Sequence, residues 1–148
     1  MPVRELPPLL GTSHFRVLIG RQELGFAEVS RISSETCEDE HRFDAVVLRR
    51  ALTQSTELYD WRRKIVAGKR DRRAVTIQQL ASAGGEVVNA WRLDDAWPRK
   101  WSGPSFNAAG NDVAMEEIEL CFDDAVWLQP PEKPTRPTSR SRKKSEGA

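Results

Sequence analysis

The sequence predicts one domain that is mostly β-structure with a single α-helix, and three patterns indicate this fold class. Apolar and polar residues alternate over residues 14–19, as in a strand with one buried face. Between residues 53 and 68 the apolar residues recur instead at three- and four-residue intervals, the spacing of a helix. Two further alternating segments, 74–80 and 87–93, flank a glycine pair and so predict a β-hairpin.

The first half of the chain predicts three strands before the helix. Residues 14–19 form the first strand, and a turn between Gly20 and Gly25 leads into a second strand around residues 26–32. Residues 33–42 are polar and acidic, which predicts a loop. The third strand is expected over residues 43–50.

One amphipathic helix is expected next, with Leu58, Trp61 and Ile65 on its buried face. Thr53 or Ser55 is the predicted N-cap, because a side-chain oxygen at that position can accept from a free backbone N–H. Gly68 is expected to end the helix, since glycine readily adopts the left-handed backbone of a helix C-terminus.

The second half of the chain predicts the hairpin of residues 74–93 and a last strand over residues 113–122. Val87, Trp91 and Leu93 share one face of the second hairpin arm, and Trp97-Pro98 is expected to end its pairing because proline has no N–H to donate.

The last strand is predicted to be irregular. A loop over residues 102–112 leads into it, and its apolar residues change face partway along, which predicts a bulge or a strand whose halves meet different neighbours. Ile118, Leu120 and Phe122 face one way, whereas Val113 and Met115 share the side of Glu117, Glu119 and Cys121.

Composition and charge limit the function classes. Charged residues make up 30% of the 148 residues and hydrophobic ones 39%, which is ordinary for a soluble domain, and no apolar run is long enough to cross a bilayer. The first ten residues have neither an apolar core nor a cleavage site, so we expect synthesis in the cytoplasm without a signal peptide.

The C-terminal residues 129–148 are predicted to be a disordered basic tail, rich in Pro, Ser and Thr. They hold six Lys or Arg against two Glu, which leaves 17 basic and 20 acidic residues in the first 128. We therefore divide the chain into an N-terminal arm (1–12), a folded domain (13–128) and this tail (129–148).

No catalytic, cofactor or metal site is predicted. Phosphate-binding, dinucleotide-binding and nucleophile-elbow motifs are missing from the sequence. Cys37 and His41 have the spacing of half a zinc site, but no second pair accompanies them. Glu116, Glu117 and Glu119 could form a paired-carboxylate site, although Glu117 and Glu119 more simply make one polar face of a strand.

Five phrases in a fixed order resemble the phage tail tube family. They are residues 26–32 (FAEVSRI), residues 48–53 (LRRALT), a helix bearing Trp61, residues 91–100 (WRLDDAWPRK) and residues 110–120 (GNDVAMEEIEL). The family includes tail tubes of contractile phages and extracellular contractile injection systems, and it is similar to the haemolysin-coregulated protein of type VI secretion.

The resemblance implies a structural protein without enzymatic activity or cofactor. Its expected fold is a β-sandwich or barrel with a flanking helix, six copies of which form a ring around a channel. Stacked rings make a tube that meets sheath and baseplate proteins, with nucleic acid or cargo only inside the channel and no insertion of this chain into a membrane. The residues implied for the family motif and assembly are Arg49, Arg50, Trp61, Trp91, Trp97, Pro98 and Glu117.

Within such a ring, contacts are expected from the hairpin 74–93 and from strand edges at 14–19 and 113–122. Two glycines of the family pattern are replaced here by Arg31 and Ala51. The loop after the second strand is also short, and in the family this loop often packs one ring on the next. A specialised subunit, such as a tube initiator or minor tube paralogue, is therefore the alternative to the bulk tube.

A nucleic-acid-binding module is the remote alternative. It would use Arg70, Arg72, Arg73 and the basic tail, and its affinity would fall steeply with salt. The slightly acidic body weakens this interpretation, because it opposes a groove that follows phosphates.

Overall fold

The computed structural model describes residues 9–128, arranged as ten strands and one helix. The predicted disorder of the tail at 129–148 and the first eight residues of the arm lie outside the described residues. In chain order the elements are β1 (Phe15–Ile19), β2 (Gln22–Leu24), β3 (Glu28–Val29), β4 (Ser34–Cys37), β5 (Glu40–Phe43), β6 (Val46–Ala51), α1 (Glu57–Val66), β7 (Arg73–Leu80), β8 (Val87–Ser102), β9 (Met115–Cys121) and β10 (Asp124–Leu128).

Two antiparallel sheets share the long strand β8. Its first part pairs with β7 and β10, and β7 continues to β1 and β2. Its last part pairs with β9, which continues to β6 and β3. Ala96 is the last residue paired with β7 and Trp97 is the first paired with β9, so β8 passes from one sheet to the other at this point.

The core lies between these two sheets. Val17, Val75 and Leu93 from one sheet and Leu48 and Ile118 from the other are all fully buried in one apolar cluster. The predicted fold class, mostly β with one helix and of sandwich type, is confirmed.

The expectation that Trp97-Pro98 ends a strand is wrong. β8 continues to Ser102, and Pro98 lies opposite Leu120 of β9. A register shift between Pro98 and Lys100 and a positive φ of 56° at Asp95 accompany the change of partner. Proline is tolerated within a sheet at such an irregularity, because the ladder is already interrupted there.

Segment 33–42 is a hairpin, not the predicted loop. β4 and β5 pair with each other, and Glu38 and Asp39 form the turn with φ of 50° and 72°. Both strands are almost entirely exposed, so they carry none of the apolar alternation that would reveal a strand in the sequence.

The predicted second strand is divided between the two sheets. β2 pairs with β1, whereas β3 pairs with β6 of the opposite sheet. The connecting residues carry the chain across the end of the sandwich, which a single predicted strand could not represent.

The last predicted strand is regular over Met115–Cys121, so the expected irregularity is not in β9 but in its partner β8. Val113 lies before the strand begins and is exposed. Within β9 the first fully buried position is occupied by Glu116. β10 was not predicted as a separate element.

Helix α1 is confirmed, with Leu58 and Trp61 buried and Gly68 after its end. Gly68 has φ +88°, and Gly68 and Lys69 donate to the carbonyls of Ile65 and Lys64, the bonding of a Schellman motif. The N-cap is Thr56, not the predicted Thr53 or Ser55. The Thr56 hydroxyl donates to the Asp60 side chain and makes no cap bond to the backbone.

Candidate assembly surfaces

Arg50 and Glu116 form a buried ion pair between β6 and β9. The two residues lie directly opposite each other in the register, and Arg50 Nε donates to Glu116 Oε2 at 2.7 Å. The other carboxylate oxygen accepts from Trp101 Nε1 at 2.9 Å. Only 1% of the Glu116 side chain and 10% of the Arg50 side chain are exposed. Both charges are therefore held within the protein and depend on each other.

The same arginine connects the sheet to the start of α1. Arg50 Nη1 lies 3.4 Å from Glu57 Oε1, and Gln22 Nε2 donates to Glu57 Oε2 at 2.6 Å. Hydrogen bonding from Ser55, with further bonds from Gln22 and Arg50, lowers the pKa of Glu57. The Arg50 guanidinium also lies over the Phe26 ring, 5.7 Å from its centre. This network joins both sheets and the helix.

Arg49 and Glu117, the next residues of β6 and β9, point outward. Arg49 Nε lies 3.1 Å from Glu117 Oε2 and Arg49 Nη1 lies 3.7 Å from Glu28. On the same face Arg99 pairs with Glu119. Glu116, Glu117 and Glu119 thus each pair with a different arginine. Glu117 and Glu119 form the outward polar face of β9 that the alternation predicts. The paired-carboxylate arrangement is not present.

Trp61, Trp97 and Pro98 fix α1 against β8 and the segment after the helix. Trp61 is fully buried and its Nε1 donates to the Asp71 carbonyl at 2.9 Å. Pro98 is also buried, and its carbonyl accepts from Arg62 at 3.0 Å. Arg72 lies over the Trp97 ring at 5.6 Å. Trp61 and Pro98 therefore lie inside the subunit and contact the helix or the segment after it, whereas Trp97 is half-buried beside Arg72.

Trp91 belongs to a different surface. It stacks on Trp127 of β10 with ring centres 5.7 Å apart, and Trp127 Nε1 donates to Asn89 at 3.0 Å. Trp127 remains 61% exposed. Of the seven predicted motif residues, Arg49 and Glu117 meet on one outward face, Arg50 lies inside, and Trp91 is the only one on this aromatic surface.

Sheet edges are not where the sequence placed them. β1 lies between β2 and β7, and β9 lies between β6 and β8, so the expected edges at 14–19 and 113–122 are interior strands. Within residues 9–128 the edges of the first sheet are β2 and β10, those of the second sheet are β3 and the last part of β8, and β4 and β5 pair only with each other. Unpaired edges and exposed apolar side chains are the features that subunit contacts commonly cover. The exposed large apolar residues include Tyr59, Val66, Phe106, Val113 and Trp127.

The basic segment after α1 is largely engaged in ion pairs. Arg73 donates to both oxygens of Asp71, and Arg72 lies 3.6 Å from Asp123. The hydrogen bond from Arg73 is the main cause of a lowered pKa at Asp71, with Lys64 adding to it. Two of the three arginines proposed to bind nucleic acid therefore already have carboxylate partners.

Cys37 and Cys121 are both free cysteines, the first exposed and the second half-buried. Cys37 and His41 lie on opposite sides of the β4–β5 turn. His41 Nδ1 is hydrogen-bonded to the Thr36 hydroxyl. Within residues 9–128 no group of three or more His, Cys, Asp or Glu is placed to hold a metal ion. The one helix of this part of the chain is not long and apolar enough to cross a membrane.

Comparisons with known proteins place this fold. A chain of the PVC sheath-tube complex, an extracellular contractile injection system in its extended state, is 26% identical with a TM-score of 0.70; the match covers 82% of this chain and 92% of that chain. A chain of the PVC sheath/tube terminator is 27% identical with a TM-score of 0.72, covering 84% and 99%. Hcp1 from Flavobacterium johnsoniae shares the fold at 13% identity and a TM-score of 0.60, covering 77% and 94%.

No curated protein sequence matches this chain significantly. The family model for the T4-like virus tail tube protein gp19 matches residues 39–126, from the β4–β5 turn through most of β10. This match spans more than half of the chain and includes the long strand that the two sheets share. The chain therefore belongs to the T4-like virus tail tube protein gp19 family.

Proposed function

We propose that this chain is a subunit of the inner tube of a contractile phage tail or a phage-tail-like injection system, in which six copies close a ring and rings stack around a channel. The family match over residues 39–126 carries this proposal. The likeness to chains from sheath-tube, terminator and baseplate assemblies supports it and makes sheath and baseplate proteins the expected partners. The role is structural and assigns no reaction to the chain.

Ring closure would use the edges β2 and β10. They are the two ends of the same sheet, so the β10 edge of one copy can pair with the β2 edge of the next copy. Each contact would be heterologous, and repetition of one heterologous contact closes a ring when the rotation fits. Pairing would also cover the backbone donors and acceptors that an unpaired edge exposes.

Stacking of rings would use the β4–β5 hairpin. It projects from the sandwich with exposed strands and holds four acidic residues in its short length. The segment after α1 carries exposed Lys69 and Arg70 with the opposite charge. If these opposite charges meet between successive rings, salt screens their attraction, so stacking should weaken as the salt concentration increases. The acidic residues of the hairpin are Glu35, Glu38, Asp39 and Glu40.

Light scattering and negative-stain microscopy of the same purified fraction test the proposal. A six-membered ring of a 16.8 kDa chain has a mass of about 101 kDa, six times the chain mass. We expect six-fold rings or tubes at moderate salt. Glu38→Lys with Asp39→Lys should leave single rings but reduce stacking. Glu86→Lys with Asp112→Lys is the matched double charge reversal, because both residues are exposed and lie outside the hairpin and outside the β2 and β10 edges. A monomer at every concentration would contradict self-assembly into a tube.

A specialised tube subunit is the second candidate. The likeness to a chain of the sheath/tube terminator, which is covered over 99% of its length, favours it. The short β4–β5 hairpin is in line with altered stacking. This candidate predicts rings that do not extend into tubes alone but bind to the end of a preformed tube or baseplate, which microscopy of the mixed components would distinguish from bulk polymer.

A further inference from the structure

An apolar groove lies at one end of the sandwich, between the β1–β7–β8 sheet and the segment that contains β3. Its volume is about 480 Å³. Phe15, Ile77 and Trp91 line one side, and Val29 and Ile32 line the other. Phe15, Trp91, Val29 and Ile32 remain half-buried, so the groove continues the hydrophobic core toward solvent.

The sequence before the fold has the pattern of a ligand for such a groove. Residues 1–10 read MPVRELPPLL, with prolines at positions 2, 7 and 8. Proline-rich segments favour the polyproline II conformation, which has three residues per turn. Val3, Leu6 and Leu9 recur at this period and would share one edge of the segment. Aromatic-lined grooves commonly bind extended proline-rich segments in this conformation.

The position of the arm indicates which copy it would reach. The chain leaves the fold at the groove rim, where Thr12 and His14 line the groove and Gln79 Nε2 donates to the Gly11 carbonyl at 2.7 Å. Leu9 has already left the surface and is 98% exposed. The Leu9 side chain therefore makes almost no contact with its own subunit and is available to a second copy.

The groove rim and the arm each carry one acidic and one basic residue, and the acidic residue at the rim, Glu28, also lies 3.7 Å from Arg49. Glu28 and Arg31 line the groove and are exposed. The arm carries Arg4 and Glu5 between Val3 and Leu6. An arm laid along the groove therefore brings one charge of each sign toward a groove that holds both signs.

From this geometry we propose that the N-terminal arm, residues 1–10, of one copy binds as an extended segment in the Phe15–Trp91 groove of a second copy. Val3, Leu6 and Leu9 enter the groove and cover its half-buried aromatic rings. The contact joins two subunits whatever the number of copies in a ring. The arm and most of the groove wall precede residue 39, so they lie outside the segment that the family model matches.

Cross-linking between two single-cysteine chains tests this contact. The background is the full chain with Cys37→Ser and Cys121→Ser. One chain carries Glu5→Cys in the arm, outside the period of Val3, Leu6 and Leu9, and the other carries a size tag and Arg31→Cys at the groove rim. Mild oxidation of the equal mixture should give a disulfide-linked heterodimer. Adding Leu9→Asp to the arm should reduce its rate of formation at least tenfold, because that position enters the groove.

Leu10→Asp is the matched control, since it makes the same change one position out of the period of three. Leu10 is 49% exposed, and its substitution should leave the rate within twofold. Equal rates for the two aspartate variants, or no heterodimer, would overturn the proposal. A further chain that carries both cysteines tests the alternative: a disulfide that forms only within this chain would overturn the proposal by assigning the arm to its own groove. Ring formation is scored separately by microscopy, so failure of this contact is distinct from failure of the tube proposal.

Discussion

Replacement of the buried carboxylate Glu116 tests the internal ion pair most directly. Glu116→Gln keeps the size of the side chain and one acceptor oxygen but removes the charge that faces Arg50 at 2.7 Å. Arg50 stays charged, since its guanidinium does not lose its proton under ordinary conditions. The Arg50–Glu57 contact at 3.4 Å is longer, so it replaces only part of the lost interaction.

The expected cost in unfolding free energy is large. Removing one partner of a buried pair typically costs about 3–5 kcal/mol, because the other charge is left buried without compensation. The retained amide oxygen places the expected loss near about 3 kcal/mol. Glu117→Gln is the matched control on the next residue, where the carboxylate is 45% exposed and pairs with Arg49. A surface pair of this kind contributes about 0–1 kcal/mol.

Urea denaturation at one fixed protein concentration measures both variants, because self-association would otherwise change the apparent stability. We expect the Glu116 variant to lose at least about 2 kcal/mol more than the Glu117 variant. The double change Arg50→Met with Glu116→Leu should recover most of the loss, since apolar residues can replace a buried pair. Equal losses for the two glutamine variants would refute the reasoning.

Three further predictions concern the helix end, acid stability and the core. Gly68→Ala should lower the unfolding free energy, measured in urea, by about 1 kcal/mol, because φ is +88° and the added methyl group meets no atom within 4 Å. Gly11→Ala is the control: it also lies in open space, without a positive φ, and should change the unfolding free energy by less than about 0.5 kcal/mol. Asp71 has a lowered pKa when folded, so its contribution is present above its ordinary value of 3.8 and is lost as the pH falls through the folded value; a pH series should show the stability difference between the protein and Asp71→Asn shrinking below that value. Leu48→Ala should cost about 2–5 kcal/mol by thermal or urea unfolding, since the side chain is fully buried between the sheets, and a loss below about 1 kcal/mol would contradict that packing.

Strands with one buried face and the helix could be predicted from the sequence, because their apolar periodicity is direct. β1, β7 and α1 follow their predicted alternation or helical spacing closely. β4 and β5 bury almost nothing, so no alternation marks them. β8 changes sheets at residues 96–97, and one strand with two successive partners has no single-face pattern.

The motif residues could be found from the sequence, but their roles depend on side-chain direction. Arg49 and Arg50 are adjacent and chemically alike, yet one pairs at the surface and the other inside. The inward position of Glu116 could have been inferred, since it shares the phase of Ile118 and Leu120. Glutamate is rarely buried, so the residue type predicts an exposed position even where the alternation of the strand predicts a buried one.

The location of the Arg50–Glu116 pair gives it a role in register that an apolar pair could not have. Side chains of β6 and β9 alternate between the two faces, so a slip of β9 by one residue against β6 would place Ile118 outside and Glu117 inside. In the observed register both inward charges meet each other, and both outward charges, Arg49 and Glu117, also meet. A shift of β9 by two residues would keep the apolar faces buried but separate both pairs, leaving an uncompensated charge in the core. The adjacent pairs therefore select one register among those that hydrophobic alternation alone would allow. Because β9 also pairs with β8, and Arg50 also contacts Glu57 at the start of α1, this register sets where β8 and α1 lie.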